Sequence, residues 1–287
     1  MAKKGYTIKE FNEAFPDDDA CLEHLMRVRY GETLTCSKCQ KEARYYRVAK
    51  RRCYECEHCG YQVYPTAGTP FAKTRTSLRD WFYVMFLFCT TRNGISAKEI
   101  QRQLGVTYKT AWRMGHEIRK YMGWVDGDDT LGGNHIVEAD KTFIGGKDKQ
   151  GHDDKTVVLG MHERGGQVMT RVIPDRSSRS VIPHVLANVR PGAWMATDEA
   201  LAFSPLSEYG YEHETVNHSA KEYVRGPVHT NSIESFWATV KRSIRGTHIW
   251  VSPKHLPSYL GEFEFRHNLR KKPHLMFDLL LLAFPRP

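Results

Sequence analysis

Two Cys-x-x-Cys pairs are the feature that most restricts the fold of this chain. Cys36 and Cys39 form the first pair, Cys56 and Cys59 form the second, and 16 residues separate the pairs. Each pair is a tight knuckle that turns two thiolates toward one ion, and two knuckles complete a closed tetrahedral zinc site. Because a closed site leaves no position for a substrate, the pattern predicts a structural zinc ion. Coincidentally buried cysteines are the alternative.

Basic and aromatic residues fill the segment between the two cysteine pairs. We predict small strands that carry these side chains: Tyr45, Tyr46, Arg47, Arg51, Arg52 and Tyr54. Such groups can contact the phosphate backbone of a nucleic acid. The sequence leaves open whether this zinc ribbon touches DNA or only braces the fold.

The positive charge of the chain is concentrated in its N-terminal part. Residues 1–124 hold 22 Lys and Arg against 13 Asp and Glu, which accounts for the whole net charge of +9. A basic region beside a neutral one fits a nucleic-acid-binding part attached to a second activity. A charge that only keeps the protein in solution is the alternative.

Neither a leader nor a membrane segment is expected. Residues 1–10 are polar and no apolar signal region follows them. The longest apolar run, residues 81–89, is too short to span a bilayer. All seven cysteines fall in the first third of the chain, which favours metal binding over a secreted disulfide scaffold. We therefore expect a soluble cytoplasmic protein.

Changes in composition divide the chain into three predicted domains. Residues 1–66 combine an N-terminal helix, predicted over residues 7–30, with the zinc ribbon. Residues 67–124 form a helical region. A linker rich in Gly and Asp, residues 123–133, leads into residues 125–287, where the pattern changes to strands and ends in a basic helical C-terminus.

The helical region contains a pattern typical of a helix-turn-helix. Ser96 can cap a helix with Glu99 as its capping-box partner, and Gly105 suits the tight turn before the next helix. That second helix would enter the major groove of DNA. Its side chains expected to meet bases or phosphates are Lys109, Thr110 and Arg113. An ordinary helical hairpin is the alternative.

The order of elements after the linker favours an RNase H-like fold. The predicted elements are strands 135–144, 156–163 and 168–173, helix 179–188, strands 194–198 and 214–218, and helix 232–244. We therefore expect a multidomain α+β chain. A zinc ribbon and a helix-turn-helix would be followed by an RNase H-like α/β catalytic domain with a mixed five-stranded sheet and helices.

Three acidic residues lie on elements that an RNase H-like fold would bring together. Asp140 lies within an apolar strand, where a lone charge is costly without a partner. Asp198 ends a short strand and Glu234 begins a helix. In an RNase H-like arrangement the two aspartates lie side by side and the late helix brings the glutamate over them. Such carboxylates predict two Mg²⁺ ions about 4 Å apart, for which Mn²⁺ can substitute. Single acids occur in any domain of this size, so the indication comes from their order and spacing together.

Further motifs extend over nearly the whole chain. They are the zinc ribbon, Asp140 before Ile144-Gly145-Gly146, Thr197-Asp198-Glu199, His229-Thr-Asn-Ser-Ile-Glu-Ser-Phe-Trp, Val240-Lys-Arg, Gly246-Thr-His, His255-Leu and Glu262-Phe-Glu-Phe-Arg-His-Asn. With them the chain resembles the DDE transposases of bacterial insertion sequences that carry an N-terminal zinc ribbon, the ISXO-type group, related to the eukaryotic Merlin elements. The 35 residues between Asp198 and Glu234 resemble the spacing of that family.

The resemblance implies roles for individual residues. Asp140, Asp198 and Glu234 would hold the metal ions. Lys241, about two turns after Glu234 on the same helix face, resembles the basic residue that such enzymes place against DNA near the cut, and Arg242 beside it would also contact DNA. Asn231 lies one turn before Glu234 and is a rival or helper as third catalytic residue, because some members of the group are described with an asparagine there.

Two histidines and one lysine need separate interpretation. His218 and His229 flank the site in sequence and are expected to be structural or to contact DNA. The family has an acidic residue directly after the first aspartate, whereas this chain has Lys141. Because neighbouring side chains of a strand face opposite ways, we expect Lys141 to point away from the metals.

The sequence supports two main hypotheses. In the first, the chain is an active transposase that binds the terminal inverted repeats of its element and joins them to target DNA. Because two DNA ends must be held together, we expect a homodimer or larger assembly. As a DNA-binding protein, it is also expected to associate with the bacterial nucleoid. In the second, it is a retired transposase kept as a DNA-binding regulator. A nuclease or resolvase on the same fold would share the metal chemistry but not strand joining.

Overall fold

The chain folds into two units. The computed structural model describes residues 5–125, 130–133, 135–147, 153–217 and 224–284. One unit comprises Met1–Tyr121 together with Lys272–Pro287, and the other comprises Met122–Lys271. These are the first and the second unit.

The first unit begins with two helices where the sequence predicted one. Helix α1 (Ile8–Ala14) and helix α2 (Asp18–Tyr30) are separated at Pro16. Proline has no N–H for the helical ladder and disfavours helical geometry in the residue before it, Phe15. The Asp17 side chain then caps α2 by accepting a hydrogen bond from the Ala20 N–H (2.9 Å).

Five short strands follow α2. They are β1 (Leu34–Thr35), β2 (Glu42–Ala43), β3 (Tyr45–Arg47), β4 (Tyr54–Cys56) and β5 (Gln62–Val63). Strands β1 and β2 pair antiparallel, and β3, β4 and β5 form an antiparallel sheet. Strands of two or three residues bury little apolar surface, so this ribbon needs another source of stability.

Helices complete the first unit. They are α3 (Leu78–Thr90), α4 (Ala97–Leu104), α5 (Tyr108–Val125) and α9 (His274–Ala283). Aromatic side chains of α1, α3 and α9 meet in the core, where the rings of Phe11 and Phe86 lie 5.3 Å apart and Phe86 and Phe277 lie 6.1 Å apart. In the described part of the chain, no helix combines the length and the apolar character that crossing a membrane requires.

The second unit is built on a mixed five-stranded sheet, as the sequence predicted. Its strands are β6 (Val137–Lys147), β7 (Asp153–Glu163), β8 (Val168–Ile173), β9 (Trp194–Asp198) and β10 (Glu212–Val216), in the order β10-β9-β6-β7-β8. Strands β6, β9 and β10 run parallel to one another, whereas β7 is antiparallel to both β6 and β8.

Helices cover both faces of this sheet. Helix α6 (Ser178–Asn188) and a 3₁₀-helix (Leu201–Tyr209) form an apolar core with one face. Helix α7 (Asn231–Ser243), which continues as a π-helical turn (Ile244–His248), and helix α8 (Leu256–Asn268) cover the other. A short hairpin of β11 (Val224–Arg225) and β12 (Val228–His229) precedes α7.

Gly160 of β7 sets how closely α7 approaches the sheet. A Cβ atom at this position would lie 2.3 Å from Trp237 Cζ2 and 2.8 Å from Ile233 Cδ1, both on α7. Only glycine therefore permits this packing distance. Gly160 pairs with Asp140 of β6, so the close approach brings the first turns of α7 to the neighbourhood of that aspartate.

Candidate active site

The four cysteines of the two pairs form one cluster in the ribbon. Their sulfur atoms all lie within 4.8 Å of one another, with Cys36 Sγ 3.6 Å from Cys59 Sγ and Cys39 Sγ 3.9 Å from Cys56 Sγ. A tetrahedral Zn–S₄ centre with bonds of about 2.3 Å has sulfur–sulfur edges of about 3.8 Å. The sulfurs thus stand at the spacing of zinc ligands, and the predicted cluster is confirmed.

Two of the three ribbon arginines selected from the sequence face acidic residues of α2. Arg47 Nη2 lies 2.7 Å from Asp19 Oδ1, and Arg52 Nη2 lies 3.1 Å from Asp18 Oδ2. Arg51 is exposed. In this structure Arg47 and Arg52 therefore link the ribbon to α2.

Helices α4 and α5 are joined as the sequence predicted. Ser96 Oγ accepts a hydrogen bond from the Glu99 N–H (3.2 Å), and Gly105 takes the left-handed conformation with φ 66° at the end of α4. The Glu99 carboxylate bonds to Arg102 and Gln103 instead of closing the capping box.

The three side chains selected on α5 differ in their surroundings. Lys109 is exposed. The Thr110 hydroxyl lies 3.0 Å from that of Thr107. The Arg113 guanidinium lies over the Trp81 ring and donates to the Pro70 carbonyl.

Asp140 and Asp198 are neighbours on adjacent strands. In the parallel pairing of β6 with β9, Ala139 opposes Thr197, so the next residue on each strand is one of the two aspartates. Because the side chains of a strand alternate between faces, both aspartates lie on the face of the sheet that α7 covers. Both are partly buried.

Glu234 completes the cluster from the first turn of α7. Its Oε1 accepts a hydrogen bond from the Thr230 hydroxyl (2.7 Å), which holds the carboxylate at the start of the helix. Burial, and then the charges of Asp198 and Glu234, raise the pKa of Asp140 to about 6. The structure therefore brings the three carboxylates close enough for their charges to interact.

The carboxylates form a more open group than the cysteines. Among the described residues, only the four cysteines form a group of three or more potential metal ligands whose atoms all lie within 4.8 Å of one another. Two catalytic metal ions lie about 3.5–4 Å apart, so carboxylates that hold such a pair do not all have to meet at one point. The residue types and their arrangement suit a pair of oxygen-preferring divalent ions.

Lys141 lies on the opposite face of β6. Its Nζ stands 3.9 Å from the centroid of the Phe203 ring, in the core beneath α6 and the 3₁₀-helix. The expected alternation of side chains along the strand is thus present here. Nevertheless, the Lys141 N–H donates to Asp140 Oδ1 (2.7 Å), and this hydrogen bond lowers the pKa of Asp140 in part.

Glu138 is a residue of this site that the sequence interpretation missed. It is fully buried, and its Oε2 accepts hydrogen bonds from the N–H groups of Ser232 (2.8 Å) and Ile233 (3.1 Å) at the start of α7. Its Oε1 accepts from Arg164 Nε (2.7 Å). A carboxylate at a helix N-terminus is favoured by both hydrogen bonding and the helix dipole. These contacts, here called the Glu138 clamp, fix α7 to β6 two residues before Asp140.

The remaining predicted residues lie along α7 or beside it. Asn231 is exposed at the first position of the helix. Lys241 and Arg242 are in its last turn, where Lys241 is partly buried and Arg242 is exposed. His229 Nδ1 lies 3.1 Å from Glu138 Oε1, which places this histidine in a structural contact. His218 is outside the described residues.

The pKa of Asp140 leads to a stability prediction. Its value changes from 3.8 to about 6 on folding, so the folded chain binds this proton more tightly and loses stability as pH rises through that range. We expect metal-free Asp140→Asn to exceed the wild type in free energy of unfolding by about 1–3 kcal/mol at pH 7.5. The difference should shrink to less than about 1 kcal/mol near pH 4, close to the unfolded value of 3.8. Urea unfolding at both pH values measures it, and a variant less stable than the wild type at pH 7.5 contradicts it.

Two models of known protein families match this chain, one in its second unit and one in the zinc ribbon. Residues 122–268, about half of the chain, match the family model of the ISXO2-like transposase domain, and residues 16–62 match that of the transposase zinc-ribbon domain. The chain belongs to the ISXO2-like transposase family.

Two relatives agree with this family. An uncharacterized protein in transposable element ISH50 of Halobacterium salinarum is 28% identical over an alignment of 289 positions, which covers 91% of this chain and 94% of that protein. An uncharacterized transposase-like protein of Haemophilus influenzae is 28% identical over 102 residues, 36% of this chain and 81% of its own length.

Proposed function

We propose that this chain is a DDE-type DNA transposase that binds the ends of its element, hydrolyses a strand at each end and joins the freed 3′-hydroxyl to target DNA. The family membership supports the transposase class. The observation that carries the chemistry is the approach of Asp140, Asp198 and Glu234 on one face of an α/β sheet. The strand order, with helices on both faces, supports an RNase H-like fold for the second unit.

In this proposal the three carboxylates would hold two Mg²⁺ ions, for which Mn²⁺ can substitute. Burial, and then the charges of Asp198 and Glu234, raise the pKa of Asp140, and bound cations would relieve the repulsion among the three carboxylates. When bound, the ions activate the attacking water or 3′-hydroxyl and stabilise the leaving oxygen. Lys241 would hold a phosphate of the DNA near the cut. Asn231, in the same helical turn as Glu234, remains the candidate alternative third residue.

The two N-terminal domains would bind the DNA. We propose the three domains 1–66, 67–124 and 125–287, with α4 and α5 as a helix-turn-helix and zinc in the cysteine cluster. On α5, Lys109 and Arg113 are both exposed, and Lys109 would meet the DNA first because Arg113 contacts the Pro70 carbonyl and the Trp81 ring. Of the three ribbon arginines, Arg51 would contact the DNA first, because Arg47 and Arg52 would have to leave Asp19 and Asp18 to bind phosphate. Two ends held together imply a dimer or larger assembly.

The test is a cleavage reaction on a supercoiled plasmid that carries this gene with its flanking DNA. With Mg²⁺ or Mn²⁺, we expect breaks at fixed sites that flank the gene, together with rejoined products. Asp198→Asn and Glu234→Gln should lower the cleavage rate by more than about 100-fold, since even the loss of an outer-shell partner costs a metal site ten- to 100-fold. Mapping of breaks and joints by sequencing measures both steps.

Other outcomes assign other functions. Tight binding of the flanking DNA without breaks under any metal would establish a DNA-binding regulator instead. Breaks without joined products would establish a nuclease. Activity that is lost in Asp198→Asn but kept in Glu234→Gln would move the third catalytic role to Asn231. A matched control is Glu212→Gln, an exposed carboxylate of β10 in the same sheet, which should cleave like the wild type.

A further inference from the structure

A pocket of about 340 Å³ lies at the C-terminal end of α7. Its wall includes Ile144 of β6, Lys155 of β7, Lys241 of α7, Arg245 of the π-helical turn and Trp250. The pocket therefore combines three cationic side chains with the indole ring of Trp250. A volume of several hundred Å³ is the size range of pockets for small organic groups.

Local backbone geometry turns Trp250 outward at the edge of this pocket. The Trp250 N–H donates to the His248 carbonyl (2.7 Å), which closes a three-residue turn around Ile249 with φ 66° and ψ −51°. This γ-turn with positive φ is rare, above all for a β-branched residue. It leaves Ile249 75% exposed and Trp250 60% exposed. A turn of this kind after a π-helical segment points to a functional constraint.

The pocket is within reach of a DNA strand that lies in the candidate active site. Lys241 follows Glu234 by seven residues of helix, about 10 Å, and Ile144 follows Asp140 by four residues of strand, about 13 Å. Both lie on the α7 face of the sheet. Because successive phosphates of one DNA strand rise about 3.4 Å along the duplex axis, the pocket stands about three or four base-pair steps from the carboxylates, measured along that axis.

We propose that this pocket receives one nucleotide of the DNA end, unstacked from its duplex, with its base on the Trp250 indole and its phosphates at Lys241 and Arg245. The inference rests on the proposed function and adds a subsite to it. Charge complementarity selects a polyanion as the occupant, and the exposed indole offers a stacking platform that accepts any base. An unpaired base pays no further unpairing cost on entering, so unpaired ends bind best.

The test compares three fluorescein-labelled DNAs by fluorescence anisotropy, without added Mg²⁺ or Mn²⁺. They are a blunt duplex from the end of the element, the same duplex with a short unpaired thymidine overhang, and that duplex with an abasic overhang of equal length. We expect the wild type to bind the thymidine overhang roughly fivefold to 150-fold more tightly than the abasic one, the range of base–aromatic stacking. Trp250→Ala should bind both overhangs equally, whereas Trp250→Phe should keep most of the preference.

Two further variants complete the test. Arg245→Gln should weaken all three complexes and reduce their dependence on salt, as expected for a phosphate contact. Tyr209→Ala removes another exposed ring, on the 3₁₀-helix of the opposite face, and should keep the wild-type preference.

Each contrary outcome contradicts either the pocket proposal alone or the proposed function as well. If the wild type binds the blunt duplex but shows no preference for bases in the overhang, or if Trp250→Ala keeps that preference, the pocket proposal is wrong and the proposed function stands. If Trp250→Ala instead reduces self-association in sedimentation and leaves DNA binding unchanged, the pocket is an interface between copies of the chain. If the wild type binds none of the DNAs, the proposed function fails as well.

Discussion

Loss of the metal from the cysteine cluster is expected to unfold the ribbon. The apolar core of the ribbon consists of Cys36, Ala43 and Cys56 with a few partly buried neighbours. Because this core is so small, the folding of the ribbon depends on metal binding by its cysteines. Structural zinc binding contributes about 10–16 kcal/mol in small zinc domains, which exceeds any other single contribution available here. We expect Cys39→Ala to lose its zinc and to become cleavable by trypsin after Lys50 and Arg51.

The chain supplies a matched control for this experiment. Cys53 is fully buried in the same ribbon but is not a member of the four-cysteine cluster. Cys53→Ala should therefore keep its zinc, measured by metal analysis of the purified protein, and should resist trypsin like the wild type. Should Cys39→Ala retain zinc with wild-type affinity, or Cys53→Ala lose it, the assignment of the ligands is wrong.

The features that the sequence predicted well depend on local patterns. A Cys-x-x-Cys knuckle is set by the residues within it, so the spacing alone selected all four members of the cluster. Strand β8 was predicted with its observed bounds, because the glycine turn before it marks where it begins. The proximity of Asp140 to Asp198 followed from the order of the elements, since that order places their strands side by side.

The features that the sequence did not predict depend on partners far along the chain. The ion pairs of Arg47 and Arg52 could not be predicted, because their partners, Asp19 and Asp18, lie about 30 residues away on α2. The helix predicted over residues 7–30 is interrupted at Pro16, because proline outweighs the apolar periodicity there. Glu138 was visible as a charge in an apolar strand. Its role becomes apparent only when α7 lies against β6.

Replacement of Glu138 is expected to affect both stability and metal binding. Glu138→Ala leaves the Arg164 guanidinium and the first N–H groups of α7 without their buried acceptor, which typically costs about 3–5 kcal/mol. Urea unfolding measures this loss. The control, Glu212→Ala, removes an exposed carboxylate from the same sheet and should change the free energy of unfolding by less than about 0.5 kcal/mol.

The conservative variant separates positioning from simple loss of fold. Glu138→Gln keeps the size of the side chain but weakens the Glu138 clamp, so α7 should hold Glu234 less firmly relative to Asp140. We expect a tenfold to 100-fold weaker affinity for Mn²⁺, the usual effect of an outer-shell change, measured at a temperature where the variant is folded. Because all three proposed ligands remain, a high Mn²⁺ concentration should restore cleavage to Glu138→Gln but not to Asp198→Asn. Equal rescue of both variants, or of neither, would show that the clamp does not act through the carboxylates.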